Sequence, residues 1–373
     1  MRILLAGGGT AGHINPAIAI ANTIKKHEPD SVIEFIGTSY GLENELVKKA
    51  GYEIHRIEMC GLKRSLSLSN IKTAYHYFTA PIKAKKLLKQ YKPDVVLGTG
   101  GYLSWPLIKA AHSLGIPSAI HESNAIPGKA VMMLSSMVNK IYVNFPSTAE
   151  YFRDKSKVIP VGNPLINDTV AHRTDELKRK LEIPDSATHT VLSFGGSLGA
   201  EKITKTVFSV ANEMNKTHSG VFFVHSSGEK KYDDAIRTAT EIGVESADNI
   251  RIMKYIYNMN EWESFADIII CRAGAMTISE LAALGKAAII IPSPYVANNH
   301  QYENAKRLAD KNAAILIEEK DLTQDSLTGA IAALIEDKKK RLTLAQNIKE
   351  FASPNAKELI YNDLLHIINK KAT

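Results

Sequence analysis

Only two cysteines occur in the 373 residues, Cys60 and Cys271, and they lie far apart. This does not fit a disulfide framework, and we expect reduced thiols in a cytoplasmic protein. No apolar run reaches the roughly 18 residues that a membrane-spanning helix needs. Glycines follow residues 1–6 at once, so the first apolar segment is too short for a signal peptide and is typical of a buried strand.

Acidic residues are missing from residues 59–93, which contain eight basic ones. Residues 1–160 hold 20 Lys and Arg against 11 Asp and Glu, a net charge of +9, whereas the remainder holds 26 against 28, a net charge of −2. A block of one sign indicates an anionic partner, although a solvated helix face has the same composition. The basic residues are Lys63, Arg64, Lys72, Lys83, Lys85, Lys86, Lys89 and Lys92.

Short apolar segments rich in β-branched residues alternate with helical segments along the whole chain. Because these segments are continuously apolar, we expect strands buried on both faces, in parallel sheets covered by helices. Residues 161–164 interrupt the pattern and form the predicted hinge. Strands are predicted at residues 2–6, 32–36, 94–97, 117–120, 140–144, 190–194, 220–224, 267–271 and 287–291.

Two glycine-rich loops relate the two halves of the chain. Residues 8–12 follow the first strand, residues 195–199 follow the first strand after the hinge, and both read Gly-Gly-hydroxyl-x-Gly. This repeat predicts an α/β fold of two Rossmann-like parallel-sheet domains facing each other across a cleft. We expect an N-terminal domain at residues 1–162, completed by a C-terminal helix at 354–373, and a C-terminal domain at 163–353.

His13 lies one residue beyond Gly12, at the carboxyl end of the first strand, where open α/β sheets place their sites. A helix N-terminus favours the neutral imidazole, which is a competent general base near pH 7. A histidine that caps or packs locally would look the same. The loop also fits a dinucleotide site, but the second predicted strand ends in Gly37 and Thr38 and lacks the acid that such a site needs.

Polar residues follow further predicted strands in both halves. Residues 98–102 and 121–124 come after strands of the first half, and they bring glycines, His121, Glu122 and Asn124 to the same edge. In the second half, the small residues of 271–277 open a helix N-terminus to an anion, and residues 298–304 are dense in amides suited to sugar hydroxyls. Each loop alone could be structural, since carboxylates and amides also cap helices.

Five ordered motifs, residues 8–16, 98–102, 121–124, 195–200 and 272–280, resemble those of the MurG family of bacterial peptidoglycan N-acetylglucosaminyltransferases. The resemblance spans essentially the whole chain and implies the GT-B architecture. It also implies transfer of N-acetylglucosamine from UDP-N-acetylglucosamine to the C4 hydroxyl of the muramoyl sugar of lipid I. The products would be lipid II and UDP, with inversion at the anomeric carbon.

The resemblance implies a role for each matching residue. His13 is the candidate base, with Glu122 as a second catalytic candidate. On the acceptor side it implies Gly100, Gly101, Tyr102 and His121. For binding of the UDP-sugar it implies Thr10, Ala11, Gly12, Asn124, Ser197, Ile256, Ala275, Met276, Thr277, Glu280 and Gln301.

The leaving UDP can be stabilised either by a divalent metal held by paired carboxylates or by helix N-termini with backbone amides. No Asp-x-Asp sequence occurs, and the glycine-rich loops favour the route without a metal or other cofactor. The lipid-linked acceptor implies a peripheral enzyme on the cytoplasmic face of the cell membrane. We expect residues 62–92, which interleave apolar and basic side chains, to contact anionic phospholipid, and we expect no nucleic-acid partner.

Three other functions fit parts of the pattern. A UDP-N-acetylglucosamine 2-epimerase shares the architecture and the donor but has no lipid acceptor, and the basic stretch disfavours it. A nicotinamide-dependent oxidoreductase is disfavoured by the missing acid at the end of the second strand. A non-catalytic nucleotide-binding module gives no reason for a histidine beside the first glycine-rich loop.

Overall fold

The computed structural model describes residues 1–59, 69–166, 173–196 and 199–372. The chain divides into two compact units, unit 1 with Met1–Ile166 and Ser353–Thr373, and unit 2 with Asn167–Ala352. The sequence-based boundaries, after residues 162 and 353, differ from these by four residues and by one. Among the described residues, no helix combines the length and the hydropathy needed to cross a bilayer.

Unit 1 contains a seven-stranded sheet in the order β3-β2-β1-β4-β5-β6-β7, in which every neighbouring pair is parallel. Its strands are β1 (Arg2–Ala6), β2 (Val32–Gly37), β3 (Glu53–Arg56), β4 (Val95–Gly98), β5 (Ser118–Glu122), β6 (Lys140–Val143) and β7 (Val158–Pro160). Its first helices are α1 (Ala11–His27), α2 (Glu43–Lys49), α3 (Ser69–Tyr91), α4 (Ser104–Leu114) and α5 (Lys129–Leu134).

Unit 2 repeats this arrangement with six parallel strands in the order β10-β9-β8-β11-β12-β13. They are β8 (His189–Phe194), β9 (Val221–Ser226), β10 (Ile250–Met253), β11 (Ile268–Cys271), β12 (Ala287–Ile290) and β13 (Ile315–Leu316). The helices are α6 (Asp175–Lys180), α7 (Glu201–Thr217), α8 (Tyr232–Ile242), α9 (Met259–Phe265), α10 (Ala275–Leu284), α11 (His300–Ala309), α12 (Gln324–Glu336) and α13 (Lys338–Asn347).

Each sheet has a hydrophobic core on both faces. Along β1, Ile3 and Leu5 pack in one buried cluster, whereas Leu4 and Ala6 pack in another. Successive side chains of a strand point to opposite faces, so a continuously apolar strand needs helices on both sides. The prediction of two parallel-sheet α/β domains is confirmed.

The last helix, α14 (Ala356–Ala372), returns to unit 1 and packs beside α1. Ile360, Leu364 and Ile367 enter the same core cluster as the inner face of α1. Tyr142 on β6 donates a hydrogen bond of 2.8 Å to Asp363. The C-terminal helix is therefore an integral layer of unit 1.

Gly162, within the predicted hinge, has φ of +88°, and a Cβ atom there would lie 2.0 Å from Cβ of Ser353. Gly51 has φ of +84° but open space around its Cα. We expect Gly51→Ala to cost about 1 kcal/mol of unfolding free energy through backbone strain alone. Gly162→Ala should cost a further roughly 1–3 kcal/mol through overpacking. Urea denaturation of both variants tests this, and equal losses would contradict the close contact.

Candidate functional site

Three loops of unit 1 meet at the carboxyl edge of its sheet. They follow β1, β4 and β5, which are neighbours, and the strand order reverses between β1 and β4. Open α/β sheets bind ligands at such a reversal. The first loop leads into α1, whose N-cap residue Thr10 is exposed, while Ala11 and Gly12 in the first turn are partly exposed. Backbone donors at the start of α1 therefore remain accessible to an anionic ligand.

His13 in the first turn of α1 is held by the loop after β4. Its Nδ1 lies 3.2 Å from the carbonyl oxygen of Thr99, and the Thr99 hydroxyl donates to the His13 carbonyl at 2.6 Å. A carbonyl oxygen only accepts, so Nδ1 carries the proton in this contact. In the neutral ring the lone pair is therefore on Nε2, which is the atom able to accept a proton.

The loop after β4 reaches His13 because two of its residues lack side chains. A Cβ atom on Gly100 would lie 2.6 Å from Nδ1 of His13, and one on Gly101 would lie 2.3 Å from the carbonyl oxygen of Gly8. Both glycines have positive φ, +101° and +73°. The Tyr102 ring covers the first loop at Gly9. The structure thus brings the predicted acceptor-side residues Gly100 and Gly101 beside His13, and Tyr102 beside the first loop at Gly9.

His121 and Glu122 are buried, which does not fit the direct substrate contacts predicted for them. His121 Nε2 donates to the carbonyl oxygen of Gly162 at 2.9 Å, and burial lowers the pKa of His121 to about 4. Glu122 accepts hydrogen bonds of 2.8 Å from the backbone amides of Asn124 and Gly128, and one of 3.1 Å from the Asn124 side chain. His121 therefore supports the predicted hinge, and Glu122 orders the loop that carries Asn124.

In unit 2, the loops that follow β8, β11 and β12 lie along the corresponding edge. Gly195, Gly196 and Gly199 precede the start of α7, but the predicted diphosphate ligand Ser197 lies outside the described residues. A Cβ atom on Gly195 would lie 2.5 Å from the amide nitrogen of Ala200, so the loop folds tightly onto the helix start. Gly196 has φ of +81° and open space around it, which leaves its backbone accessible.

The loop after β11 enters α10 at Gly274, and the first turn of this helix contains no acid. The predicted ligands Met276, Thr277 and Glu280 are partly exposed there, while Ala275 is buried. Because no side chain in the described residues caps this helix start and no acid lies in its first turn, the backbone N–H groups of Met276 and Thr277 are placed to meet phosphate oxygens. The neighbouring Arg272 is not free to bind an anion, since it pairs with Glu319.

Two further predicted donor ligands lie beside this helix edge. The Ile256 side chain is buried in the unit 2 core, so only its backbone could reach a base. The Gln301 side chain accepts a hydrogen bond of 2.8 Å from the Ser293 amide, which holds the Gln301 amide group in the first turn of α11. In the described parts of the chain, no group of three or more His, Cys, Asp or Glu side chains is placed to hold a metal ion.

Two supporting residues escaped the sequence analysis. The buried Glu43 carboxylate accepts hydrogen bonds from the Thr38 amide at 2.9 Å and from the Gly9 amide at 3.4 Å, which ties the first loop to the end of β2. The buried His225 contacts the hydroxyls of Ser193 at 2.7 Å and Thr204 at 3.0 Å, and burial lowers its pKa to about 3. Glu43 could have been found from the sequence, because it is an acid that follows the end of the second predicted strand. No sequence pattern marks His225.

The sequence matches known protein families over both units. Residues 3–143 match the N-terminal domain of glycosyltransferase family 28, and residues 190–360 match its C-terminal domain. The chain is 41% identical over the full length of both proteins to a UDP-N-acetylglucosamine–N-acetylmuramyl-(pentapeptide) pyrophosphoryl-undecaprenol N-acetylglucosamine transferase of Acetivibrio thermocellus. The protein of the same name from Bacillus cytotoxicus is 38% identical over 99% of this chain and 100% of its own.

Solved structures agree with this relationship. The crystal structure of Acinetobacter baumannii MurG matches with a TM-score of 0.76 and 27% identity over 98% of this chain and 99% of its own. The S. aureus MnaA–UDP structure shares the fold, with a TM-score of 0.72 and 13% identity over 99% and 97%. The chain therefore belongs to glycosyltransferase family 28 and, within it, to the family of MurG N-acetylglucosaminyltransferases.

Proposed function

We propose that this chain is an inverting transferase that moves N-acetylglucosamine from UDP-N-acetylglucosamine to the C4 hydroxyl of the muramoyl sugar of lipid I, giving lipid II and UDP. The observation that carries this proposal is the 41% identity to a transferase of that name over the full length of both proteins. The likeness covers both units, so it includes the loops of both sheets. Likeness to the MnaA–UDP structure is confined to the fold.

In this reaction the C4 oxygen of the acceptor attacks the anomeric carbon as the bond to the UDP oxygen breaks. The C4 proton must leave, and in the tautomer that Thr99 selects Nε2 of His13 is the ring nitrogen that carries the lone pair, so we assign it as the base. Glu122 is not proposed as the base, because its carboxylate is buried and already accepts three hydrogen bonds. The carbonyl of Thr99 stabilises the imidazolium that forms, since Nδ1–H keeps its acceptor.

The proposed donor contacts are those that the resemblance to the MurG family implies. Thr10, Ala11 and Gly12 are proposed to contact the phosphate and the transferred sugar, with Asn124 on the sugar. In unit 2, the backbone of Ile256 holds the uracil, and Glu280 accepts from the ribose hydroxyls. Phosphate and sugar are bound by Ser197, Ala275, Met276, Thr277 and Gln301.

Exchange of His13 for Ala should lower kcat by about 10²–10⁴-fold and leave UDP affinity nearly unchanged, because the base acts only on the acceptor proton. The assay follows radiolabelled sugar transfer from UDP-N-acetylglucosamine to a lipid I analogue, with UDP binding measured by calorimetry. His112→Ala, an exposed histidine on α4 of the same unit, is the matched control and should behave as wild type. Near-wild-type turnover of His13→Ala would assign His13 a structural role.

The same assay separates the transferase from the alternative function. If the wild-type protein epimerised UDP-N-acetylglucosamine at C2 and transferred no sugar to the acceptor, the result would favour a UDP-N-acetylglucosamine 2-epimerase.

The leaving UDP is proposed to be stabilised by the N-terminal ends of α7 and α10 rather than by a metal. A helix start carries about half a positive charge and presents free N–H groups. Both helices follow glycine-rich or small-residue loops that leave the backbone accessible. This arrangement can neutralise developing negative charge without rearrangement during the reaction.

Turnover should therefore persist in an excess of EDTA, at roughly the rate measured with magnesium. The sugar-transfer assay under both conditions tests this. Complete loss of activity in EDTA that magnesium restores would show that a metal supports the leaving group.

The lipid-linked acceptor requires a membrane contact, and α3 offers one on unit 1. Three apolar side chains, Tyr75, Phe78 and Ile82, are 64%, 69% and 70% exposed. Their spacing of three and four residues places them on one face of the helix. The opposite face of α3, with Ala80, Ala84 and Leu88, is buried in the core. Tyr75, Phe78 and Ile82 therefore do not belong to the core.

Three exposed lysines, Lys83, Lys86 and Lys89, come directly after these apolar residues in the sequence of α3. Apolar side chains that enter the lipid interface, with cations beside them that meet phosphate groups, are typical of peripheral membrane binding. We therefore propose that α3 docks on the cytoplasmic face of the cell membrane. The predicted contacts Lys63 and Arg64 lie outside the described residues, as does the side chain of Lys72.

Exchange of Phe78 and Ile82 for Ser should weaken binding to vesicles that contain anionic phospholipid at least severalfold and spare UDP binding. Binding of the wild type should also weaken as salt rises. Leu342→Ser is the matched control, since Leu342 is 55% exposed and follows a run of basic residues on α13 of unit 2. Vesicle co-sedimentation gives the measurement. An equal loss for both variants, or equal binding of wild type to neutral vesicles, would contradict docking through α3.

A further inference from the structure

Glu263 near the end of α9 is a buried carboxyl group that the proposed chemistry does not use. It is only 3% exposed, and its Oε1 has no hydrogen-bond partner among the described residues. The helix α9 packs against α10, which carries Glu280. Within the same described ranges, Glu280 accepts no hydrogen bond and forms no ion pair. Two acidic side chains on packed helices thus lack the partners that buried carboxylates normally have.

The other ionisable groups nearby do not supply these partners. Lys286, which follows α10, donates its Nζ hydrogens to the carbonyl oxygens of Ser264 and Ala266 at 2.5 and 3.0 Å. Burial lowers the pKa of Lys286 to about 8. The Cys271 thiol at the end of β11 is buried as well, and burial together with the two acids raises its pKa. Neither group forms an ion pair with Glu263.

A carboxyl pair in these surroundings does not readily hold two negative charges. Burial raises the pKa of Glu263, the charge of Glu280 raises it further, and Lys286 lowers it. Burial also raises the pKa of Glu280. Two neighbouring carboxylates with little water retain one proton between them. Glu280 is partly exposed, so the negative charge is better solvated there, and the proton belongs on Glu263.

We propose that Glu263 is a positioning residue for Glu280: it keeps a proton, donates it as a hydrogen bond to one Glu280 oxygen, and leaves the negative charge of the pair on Glu280 for the ribose hydroxyls. This inference rests on the ribose contact of Glu280 proposed above. A protonated carboxyl group is a donor, so a proton on Oε1 of Glu263 gives that atom the hydrogen-bond partner it lacks. The bond also fixes the orientation in which Glu280 meets two neighbouring hydroxyls.

Two substitutions separate this role from simple packing. Glu263→Gln keeps an N–H donor of the same shape, and UDP affinity should stay within about threefold of wild type. Glu263→Leu keeps the volume but removes the donor, and UDP affinity should fall about tenfold or more, as expected for loss of a charge-assisted hydrogen bond. A residue that only fills the core would accept Leu at least as well as Gln. Calorimetry measures binding, and thermal unfolding checks that both variants are folded.

The ligand pair UDP and 2′,3′-dideoxy-UDP assigns the loss to the ribose hydroxyls. Glu263→Leu should weaken UDP and leave the affinity for the dideoxy compound unchanged, because that compound makes no hydroxyl contact. Glu261→Leu on the same helix is the matched control, since Glu261 pairs with Lys180 on the surface, and it should bind both ligands as wild type does. If the Leu variant does not fold, the affinities of Glu263→Met for UDP and for 2′,3′-dideoxy-UDP replace it, and the same results are expected.

The outcomes distinguish the two proposals. Unchanged UDP affinity in a folded Glu263→Leu variant overturns the positioning role, and so does an equal loss for both ligands. Glu280→Gln tests the proposed contact between Glu280 and the ribose hydroxyls, on which the positioning role depends. If Glu280→Gln weakens UDP while Glu263→Leu does not, only the positioning role fails. If Glu280→Gln also binds UDP as wild type does, the ribose contact itself fails.

Discussion

The loops after β1 and β4 pack so closely in unit 1 that no Cβ atom fits at Gly100 or Gly101, and the orientation of His13 depends on this contact. The Thr99 carbonyl reaches Nδ1 only because Gly100 has no Cβ atom. The same contact selects the tautomer with its lone pair on Nε2. Glu43 holds the other side of the first loop through the Gly9 amide. The reactivity of one imidazole is thus set by backbone geometry that glycine alone permits.

The sequence was sufficient to predict the inner strands, because a parallel sheet leaves a continuously apolar pattern there. The strands it did not predict, β3, β7, β10 and β13, are the edge strands of the two sheets. β3 carries Glu53, His55 and Arg56, β10 carries Arg251, and β13 contains only two residues. An edge strand has one neighbour and less buried surface, so its sequence has no strong apolar run. Its existence follows from pairing with an inner strand, which no local pattern reveals.

The candidate site shows a similar division. Position at a strand end identified His13, and the glycines beside it, without any knowledge of distances. The same rule also selected His121 and Glu122, which are buried, because a sequence does not tell whether a side chain at a strand end points to solvent or to the core. Glu263 had no local signal at all, since its partner Glu280 belongs to another helix and becomes a neighbour only after folding.

The path of the chain fixes the order in which the two cores can close during translation. Unit 1 begins at the first residue, yet part of its core comes from Ile360, Leu364 and Ile367 on α14. Unit 2 ends at Ala352, so all of its residues leave the ribosome before α14 does. Domains generally fold as units while synthesis proceeds. In this chain the half that is made first is completed last, and until then the face of unit 1 that α14 covers remains open to water.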